Sequence, residues 1–498
     1  PEPEPDTKNC RPFGLEKTST GDTFYCSVYD EDGREIMGDD HPRRVIGYFT
    51  SWRHGQNEKL GQPTFLASDV SWDSLTHINY AFAHIDDQWK VSIGDPTDAA
   101  NSATMMEWPG VEMDPAYPVK GHFNALHTQA KKHGVKLLLS VGGWAETGGY
   151  WGPDSSGALP EDVLGRKYNG GFYTMTVNDN GSVNQSAIDT FSESAVDFLR
   201  TYDFDGIDID YEYPASMADA GNPYDWSVSN PRRASLWKGY MALMKTLREK
   251  LDEAGTTDKD HYMLTIASPS SGYLLRGFEG FQALKYLDFV NIMSYDLHGA
   301  WNGNVGHQSA LYDDGKDSEI DGAGIYAGND AKYYNSQGYL NIDWSYKYFR
   351  TALAGGRINI GLAHYTRGWQ GVEGGTDGLW GLAERDNQSE CYLGTGNNMG
   401  PDAITDESVT ANCGMGAQGI DNLWWDPDTD GNEMFAGAGP MWHAYNLEEN
   451  LPMPYLDTYH PDSEASTLAM VGDYQAYYDD VAKGAWLWNA EKKSILIN

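Results

Sequence analysis

Short runs of β-branched and aromatic residues alternate with helical patterns along the chain from residue 45 onward. This alternation is typical of a parallel sheet with helices packed outside it. The candidate strands are Val45 to Thr50, His77 to His84, Lys136 to Val141, Phe204 to Asp210, Met263 to Ala267, Phe289 to Tyr295 and Ile358 to Ala363. We therefore predict an α/β fold, a (β/α)8 TIM barrel of which these runs supply seven strands.

Two helical patterns flank the fourth candidate strand, and each repeats its apolar residues at intervals of three or four. The repeating residues are Ile188, Phe191, Ala195, Phe198 and Leu199 before the strand, and Leu236, Tyr240, Leu243, Leu247 and Leu251 after it. We expect Gly255 to end the second helix, because glycine is the residue that most often terminates one.

Changes in composition divide the chain into four parts. Residues 43–370 carry the seven candidate barrel strands. Residues 371–455 are rich in Gly, Asn, Asp and Trp and interrupt the alternation, which predicts an inserted α+β subdomain. Residues 1–42 are predicted to form an irregular N-terminal extension, and residues 456–498 are expected to return toward the barrel.

The four cysteines fall into two local pairs, Cys10 with Cys26 and Cys391 with Cys413. Neither pair has the CxxC spacing typical of a zinc site. We interpret both pairs as disulfides, which form in oxidising compartments and predict a secreted, extracellular protein. Four free thiols in a cytosolic enzyme are the alternative.

The formal net charge of −38 argues against a nucleic-acid partner, because phosphate binding depends on clustered Lys and Arg. No apolar run approaches the length that crosses a bilayer, so we expect no membrane partner either. A neutral or cationic ligand fits this charge better than a polyanion, but the favoured explanation of the charge is an acid-rich surface that keeps the protein in solution.

The segment FDGIDIDYEYP places four acids, Asp205, Asp208, Asp210 and Glu212, at the end of the fourth candidate strand. Residues two apart on a strand share a face, so the last three acids are predicted to point into the barrel. Barrel enzymes carry their active sites at the C-terminal ends of the strands, where this row of acids finishes. The alternatives are a hydrated acidic strand end and a metal site.

Carboxylates this close cannot all be ionised, so at least one is predicted to keep its proton near neutral pH. A carboxyl that keeps its proton can act as a general acid. Glu212 lies furthest toward the mouth of the barrel and is the candidate proton donor to a glycosidic oxygen.

This segment resembles the DxxDxDxE signature of glycoside hydrolase family 18, the chitinases and their relatives. Other segments resemble the family in the same order: VIGYFTSW for the first barrel strand, THINYAF for the second, KLLLSVGGW for the third, MSYDLHGAW for the sixth and YTRGWQG for the seventh. The resemblance covers about residues 43–490 and is closest to bacterial chitinases with a domain inserted after strand seven. It implies chitin and chito-oligosaccharides as substrates, and no cofactor.

The resemblance further implies a retaining, substrate-assisted reaction. Glu212 would protonate the leaving oxygen while the N-acetyl carbonyl of the sugar attacks the anomeric carbon, which gives an oxazolinium ion. Asp210 would bind the acetamide N–H, and Asp208 would share charge with Asp210. Asp205 is assigned a structural role in the motif, as are Gly142 and Gly143.

The sixth-strand and seventh-strand motifs carry the sugar contacts that the resemblance implies. Met293, Tyr295 and Asp296 match the sixth-strand motif, in which the tyrosine orients the acetamide carbonyl and the aspartate holds the distorted sugar. Tyr365 and Arg367 match residues that bind the sugar by hydrogen bonds. Taken alone, a Met-x-Tyr-Asp run favours an ordinary strand end with a packed Met and a satisfied Tyr hydroxyl, and a solvated surface charge is the alternative for Arg367.

Four tryptophans follow candidate strands one, three, six and seven: Trp52, Trp144, Trp301 and Trp369. Sugars pack their C–H faces on aromatic rings, so we expect these four side chains to surround the mouth of the barrel and bind the polymer. For any single tryptophan, core packing is the alternative.

A possible cation loop lies in the predicted insertion, where Asp426, Asp428 and Asp430 precede Gly431. The twelfth position of a calcium loop needs a bidentate Glu, and here it is Gly437. We therefore predict no metal site and an acidic turn instead.

An eighth strand is needed to close the barrel, and no segment matches it cleanly. Trp488 in KGAWLWN is one candidate for the tryptophan that lies beneath the bound sugar in the family. The segment is more similar to the part of the family that precedes the last helix and strand. We therefore expect that a C-terminal continuation or another chain completes the barrel.

The sequence leaves two other functions open. An endo-N-acetylglucosaminidase acting on N-glycans shares the acidic motif, and a chitin-binding lectin on the same barrel lacks the glutamate. The presence of Glu212 favours catalysis over binding alone.

Overall fold

A computed structural model describes residues 10–18, 23–37, 41–55, 64–151, 166–222, 225–278, 280–326, 338–384, 416–417, 419–421, 423–427, 433–456 and 473–498 of the chain. The strands are, in chain order, β1 (Ile46–Thr50), β2 (His77–Ile85), β3 (Val91–Ser92), β4 (Lys136–Gly142), β5 (Tyr150–Trp151), β6 (Arg166–Lys167), β7 (Gly206–Asp210), β8 (Met263–Pro269), β9 (Phe289–Met293), β10 (Ile358–Ile360), β11 (Tyr365–Trp369), β12 (Val372–Glu373), β13 (Leu382–Ala383), β14 (Trp424–Pro427), β15 (Glu433–Pro440), β16 (Gln475–Asp479), β17 (Gly484–Asn489) and β18 (Ser494–Ile497).

The α-helices are α1 (Gly121–His133), α2 (Gly143–Glu146), α3 (Phe172–Thr176), α4 (Gln185–Tyr202), α5 (Trp226–Arg232), α6 (Leu236–Asp258), α7 (Gly272–Phe278), α8 (Ser318–Gly322), α9 (Ile342–Arg350) and α10 (Met441–Glu448). No helix in these described ranges combines the length and the hydropathy that crossing a membrane requires.

The barrel sheet consists of parallel strands in the order β1-β2-β4-β7-β8-β9-β10, with β3 paired antiparallel to β2 at one side. All seven predicted barrel strands are present, which confirms the α/β barrel that the sequence predicts. The strands are short and mostly buried on both faces, as expected for a sheet covered by helices.

Helices α4 and α6 pack side by side against this sheet through the apolar residues that the sequence spacing selects, among them Ile188, Phe191, Leu243 and Leu247. The predicted end of α6 at Gly255 is wrong. The helix continues to Asp258, and Lys259 adopts the left-handed conformation at its end. Gly255 instead makes room for the chain that follows, because a Cβ at this position would lie 2.3 Å from the carbonyl oxygen of Asp260.

A second, six-stranded sheet has the order β14-β15-β11-β18-β17-β16, and its pairs are antiparallel. Helix α10 packs against it, around a core that includes Ala417, Leu447 and Leu496. This sheet is the counterpart of the predicted inserted subdomain, but its strands come from a longer stretch of chain than expected.

The boundaries of this second unit therefore differ from residues 371–455. Strand β11 begins at Tyr365 and pairs with β15 and β18, so it does not belong to the barrel sheet. Residues 473–498, which were expected to return toward the barrel, form β16, β17 and β18, and Trp488 lies in β17 rather than on a barrel strand. We propose that the second unit runs from about Tyr365 and includes these last three strands.

The N-terminal extension is irregular and is closed by a disulfide between Cys10 and Cys26, as predicted. Cys391 and Cys413, like Asp428, Asp430 and Gly431, lie outside the described residues. The extension packs on the N-terminal ends of the barrel strands, where Tyr25 and Tyr29 are buried against Phe289.

A buried ionic network fixes this contact. The carboxylate of Asp288, which is fully buried, accepts hydrogen bonds from the Tyr29 hydroxyl at 2.5 Å and from His261 Nε2 at 2.6 Å. Its second oxygen accepts from Leu264 N at 2.7 Å and from Arg248 Nη1 at 3.1 Å. Burial opposes the ionised form, but the neighbouring His261 and Arg248 and these hydrogen bonds lower the pKa of Asp288 below its usual range.

Candidate active site

Strand β7 brings the predicted acids into the interior of the barrel. Its Ile207 and Ile209 are fully buried in the hydrophobic core, while Asp208 and Asp210 point to the opposite face. Glu212 lies two residues beyond the end of β7, toward the C-terminal ends of the strands, and is also buried.

Asp208 lies among side chains from four other barrel strands. One of its oxygens accepts hydrogen bonds from the hydroxyls of Tyr48 at 2.9 Å and Ser140 at 2.8 Å. The other accepts from the Thr265 hydroxyl at 2.6 Å and Asn291 Nδ2 at 3.3 Å. Burial raises the pKa of Asp208, while these four donors act in the opposite direction by stabilising the carboxylate.

Asp210 shares a hydrogen bond with the carboxyl group of Glu212. Its Oδ1 is buried and has no hydrogen-bond partner within the described part of the chain. Burial, followed by the charges of Glu212 and Asp208, raises the pKa of Asp210 well above its usual value. An unpaired buried acceptor is costly unless a ligand satisfies it, so Asp210 is suited to bind an N–H donor.

Glu212 is held close to a proton-donating state at neutral pH. Burial raises its pKa to about 7, the charge of Asp296 acts in the same direction, and hydrogen bonds to Tyr213 and Asp210 oppose the shift. A carboxyl with such a pKa can hold a proton until a substrate arrives and then donate it.

Residues after β9 and in β11 form one wall beside these acids. Arg367 Nε donates to Asp296 Oδ1 at 2.8 Å, and its guanidinium lies 5.0 Å from the ring centroid of Trp301. The ring of Tyr295 packs edge-on against Tyr365, with 6.1 Å between the centroids. Burial and then the charges of Asp210, Asp296 and Glu212 raise the pKa of the Tyr295 hydroxyl, so it remains a hydrogen-bond donor.

Met293 is partly buried at the last position of β9, directly before this wall. Arg367 is therefore not an isolated surface charge. It connects the sixth-strand and seventh-strand motifs through an ion pair with Asp296.

Three of the four predicted tryptophans expose their rings. Trp52, Trp144 and Trp301 are 40%, 49% and 40% exposed, and each follows the C-terminal end of a barrel strand. Trp369 is different: it is fully buried, packs against Val305 and Val372, and donates its indole N–H to the carbonyl oxygen of Asn302 at 2.9 Å. The expectation that Trp369 lines the mouth is wrong, because its strand belongs to the second sheet and points the ring into that unit's core.

Gly142, Gly143 and Asp205 shape the backbone around the acids. Gly142 and Gly143 have φ values of +102° and +74°, and a Cβ on Gly142 would lie 2.4 Å from the carbonyl oxygen of Asp210. Both positions therefore require glycine, which lets the turn after β4 pass close to the acids. The Asp205 carboxylate accepts a hydrogen bond from Leu137 N at 2.7 Å, at the opposite end of β7.

Several polar residues that contact the acids are not among the residues predicted from the sequence: Tyr48, Ser140, Thr147, Tyr173, Thr265 and Asn291. A usable signal exists for four of them, because Tyr48, Ser140, Thr265 and Asn291 are polar side chains inside otherwise apolar strands. Thr147 and Tyr173 lie in a turn and a short helix that carry no such signal.

In the described ranges, no three His, Cys, Asp or Glu side chains are arranged to hold a metal ion. Gly437, the position where a calcium loop would need its glutamate, lies within β15.

Comparison with known proteins gives three kinds of match. The family model described as glycosyl hydrolases family 18 matches residues 44–497. Among curated proteins, Chitinase A1 of Niallia circulans is 27% identical over 360 residues, which cover 66% of this chain and 43% of that protein. A probable endochitinase of Caenorhabditis elegans is 27% identical over 412 residues, covering 81% and 52%.

Among solved structures, the crystal structure of a family GH18 chitinase from Chromobacterium violaceum is 50% identical, with a TM-score of 0.86. The match covers 99% of this chain and 69% of that chain. This chain thus spans about half the length of these curated relatives and about two thirds of the bacterial structure.

Proposed function

The chain belongs to glycosyl hydrolases family 18, and from this premise we propose that it hydrolyses the β-1,4 links between N-acetylglucosamine units of chitin. The observation that carries the proposal is the buried pair of Asp210 and Glu212, whose raised pKa values keep a proton available near neutral pH. The chitinases among its relatives support chitin and chito-oligosaccharides as the substrate class.

Glu212 donates its proton to the glycosidic oxygen as the bond between that oxygen and the anomeric carbon breaks. The carbonyl oxygen of the sugar's own N-acetyl group forms the new bond to the anomeric carbon from the opposite face, which gives an oxazolinium ion. Water then attacks this carbon and passes a proton back to Glu212, while the bond between the carbon and the acetamide oxygen breaks and the neutral acetamide is restored. Two inversions leave the product with the original β configuration.

Asp210 orients the acetamide during this sequence. Its buried Oδ1, which has no partner among the described residues, accepts the acetamide N–H and stabilises the positive charge of the oxazolinium ion. Burial raises the pKa of Asp208, and the four donors on this side chain oppose that effect by stabilising its carboxylate form behind Asp210.

The wall beside the acids holds the sugar. The Tyr295 hydroxyl donates to the acetamide carbonyl, while Asp296 and Arg367 bind the sugar hydroxyls together with Tyr365. The exposed faces of Trp52, Trp144 and Trp301 stack on neighbouring sugar rings along the polymer. Met293, which is partly buried at the end of β9, adds an apolar contact to the same sugar.

We also propose that an eighth parallel strand fills the barrel sheet between β1 and β10. In the described part of the chain these two strands are the edges of the sheet. Tyr48 of β1 is 37% exposed, Ile360 of β10 is 43% exposed, and Leu362, just after β10, is 71% exposed. Exposed strand edges with apolar side chains favour pairing with another strand. A continuation of the chain or a second chain would supply it.

Secretion is proposed from the Cys10–Cys26 disulfide. One experiment tests both secretion and the eighth strand. The active protein is recovered from the culture medium of its natural source, which tests secretion, and its intact mass is then measured, which tests the eighth strand. We expect active protein in the medium, with a mass above 55.2 kDa or a second chain bound. Activity found only inside cells would contradict secretion, and a lone active species of 55.2 kDa would contradict the eighth strand.

Hydrolysis itself is tested by proton NMR of chitohexaose mixed with the active protein over a range of pH. We expect the new reducing ends to appear first as the β anomer. The rate should fall as pH rises through about 7, because Glu212 then loses the proton it must donate. Binding without cleavage would indicate a lectin, and cleavage of N-glycans but not of chitohexaose would indicate an endo-N-acetylglucosaminidase.

A further inference from the structure

Glu212 lies beyond the point where hydrogen bonds between the barrel strands pair the backbone. The pairing of β4 with β7 ends at Gly142 and Asp210, and β7 itself ends at Asp210. The backbone groups around Glu212 are instead bonded by two side-chain hydroxyls. Glu212 N–H donates to Thr147 Oγ1 at 3.0 Å. The Tyr173 hydroxyl donates to the carbonyl oxygen of Glu212 at 3.0 Å and accepts from Tyr213 N–H at 3.0 Å.

Both hydroxyls belong to fully buried side chains that are themselves fixed. Thr147 Oγ1 donates to the carbonyl oxygen of Gly143 at 2.9 Å, and the Thr147 carbonyl accepts from Phe172 N at 2.7 Å. The turn after β4 is therefore tied to the start of α3, which carries Tyr173. The Tyr173 ring packs edge-on against Tyr211, with 5.4 Å between the centroids.

The other side of the Glu212 carbonyl is closed by the backbone of Gly221. A Cβ at this position would lie 2.5 Å from the Glu212 carbonyl oxygen and 3.0 Å from the Tyr173 hydroxyl. Backbone and hydroxyl thus enclose the peptide group between Glu212 and Tyr213. Loss of either hydroxyl leaves a buried polar group unpaired, and the chain can restore a partner only by moving.

We propose that Thr147 and Tyr173 are positioning residues for the reaction: their hydroxyls replace the missing sheet pairing and hold the Glu212 carboxyl in reach of Asp210 and of the leaving oxygen. The inference deepens the proposed function and rests on it for its kinetic readout. Neither side chain needs to touch substrate, so their loss should slow the chemical step and leave binding intact.

The first test replaces Tyr173 by Phe, which removes the hydroxyl and keeps the ring. We expect kcat on chitohexaose to fall roughly 10- to 100-fold, because small displacements of a catalytic group cost this much. KM should stay within about twofold, and the pH at which the rate falls should move away from that of the unaltered protein. Tyr211→Phe is the matched control, because Tyr211 is a buried phenol in the same aromatic cluster whose hydroxyl contacts Thr176 at 3.4 Å.

The second test uses a pair at Thr147. Thr147→Val keeps the shape and loses the hydroxyl, and it should lower kcat as Tyr173→Phe does. Thr147→Ser keeps the hydroxyl and should restore most of the activity. If Tyr173→Phe fails to fold, the two Thr147 variants still test whether a hydroxyl is needed to position Glu212.

Equal losses in Tyr173→Phe and Tyr211→Phe, or in Thr147→Val and Thr147→Ser, would overturn the positioning role. If the unaltered protein does not cleave chito-oligosaccharides, the proposed function fails separately. Crystal structures of Tyr173→Phe and Tyr211→Phe then give an answer that needs no activity. A Glu212 carboxyl displaced by more than about 0.5 Å in the first variant alone supports the role, and an unmoved carboxyl contradicts it.

Discussion

The Asp288→Ala variant should lose about 3 to 5 kcal/mol of unfolding free energy, because it removes one partner from a buried ionic network. Asp288 is fully buried and accepts four hydrogen bonds, from Tyr29, His261, Leu264 and Arg248. Without the carboxylate, the buried guanidinium of Arg248 retains only Asp252 as an ionic partner among the described contacts. The Tyr29 hydroxyl also loses its acceptor, which weakens the contact of the N-terminal extension with the barrel.

Urea unfolding at neutral pH measures this loss. Asp258→Ala is the matched control, because Asp258 also pairs with an arginine, Arg200, at 2.7 Å, but both side chains are about one third exposed. An ion pair of that kind contributes about 0 to 1 kcal/mol. Equal midpoints for the two variants would show that the buried network does not stabilise the fold.

Acid should remove the same stabilisation from the unaltered protein. The pKa of Asp288 is lowered in the folded state, so its contribution is present above the unfolded value near 4 and is lost as pH falls toward the folded value. The difference between the unaltered protein and Asp288→Ala should therefore shrink in acid and stay constant at neutral pH.

The barrel could be predicted from the sequence because its strands are local patterns. Runs such as Lys136–Gly142 and Met263–Pro269 are apolar, of strand length, and separated by helices with regular apolar spacing. The common orientation of the acids at the end of β7 could also be predicted, since alternation along a strand determines which side chains share a face.

Contacts between residues far apart in the chain could not be predicted in the same way. Tyr365–Trp369 looks like the end of a barrel unit, and only its partners in β15 and β18 place it in the second sheet and bury Trp369. The Asp288 network likewise joins residues more than two hundred positions apart in the chain. No pattern within a short window contains such a contact.

The same limit explains why Thr147 and Tyr173 were missed. Each is an ordinary residue of a turn or short helix, and its importance comes from the position of Glu212 just beyond the strand end. The acids themselves identify the site, whereas the groups that hold them are recognised only in three dimensions.

Glu212→Gln should have the largest effect on activity of any single change proposed for this protein. The amide has nearly the same size and can still form hydrogen bonds, but it cannot donate a proton to the glycosidic oxygen. The loss of a general acid slows a reaction by about 10²- to 10⁴-fold. Because the exposed tryptophans and the Asp296–Arg367 wall are untouched, chitohexaose should bind with an affinity close to that of the unaltered protein.

The decisive measurement is kcat/KM of Glu212→Gln on chitohexaose, with binding followed by calorimetry. Glu112→Gln serves as the control, because Glu112 is an exposed side chain paired with Lys132. We predict that Glu212→Gln binds the sugar and releases almost no product, while Glu112→Gln cleaves it normally. A Glu212→Gln variant that cleaves chitohexaose at the rate of the unaltered protein would show that Glu212 is not the acid.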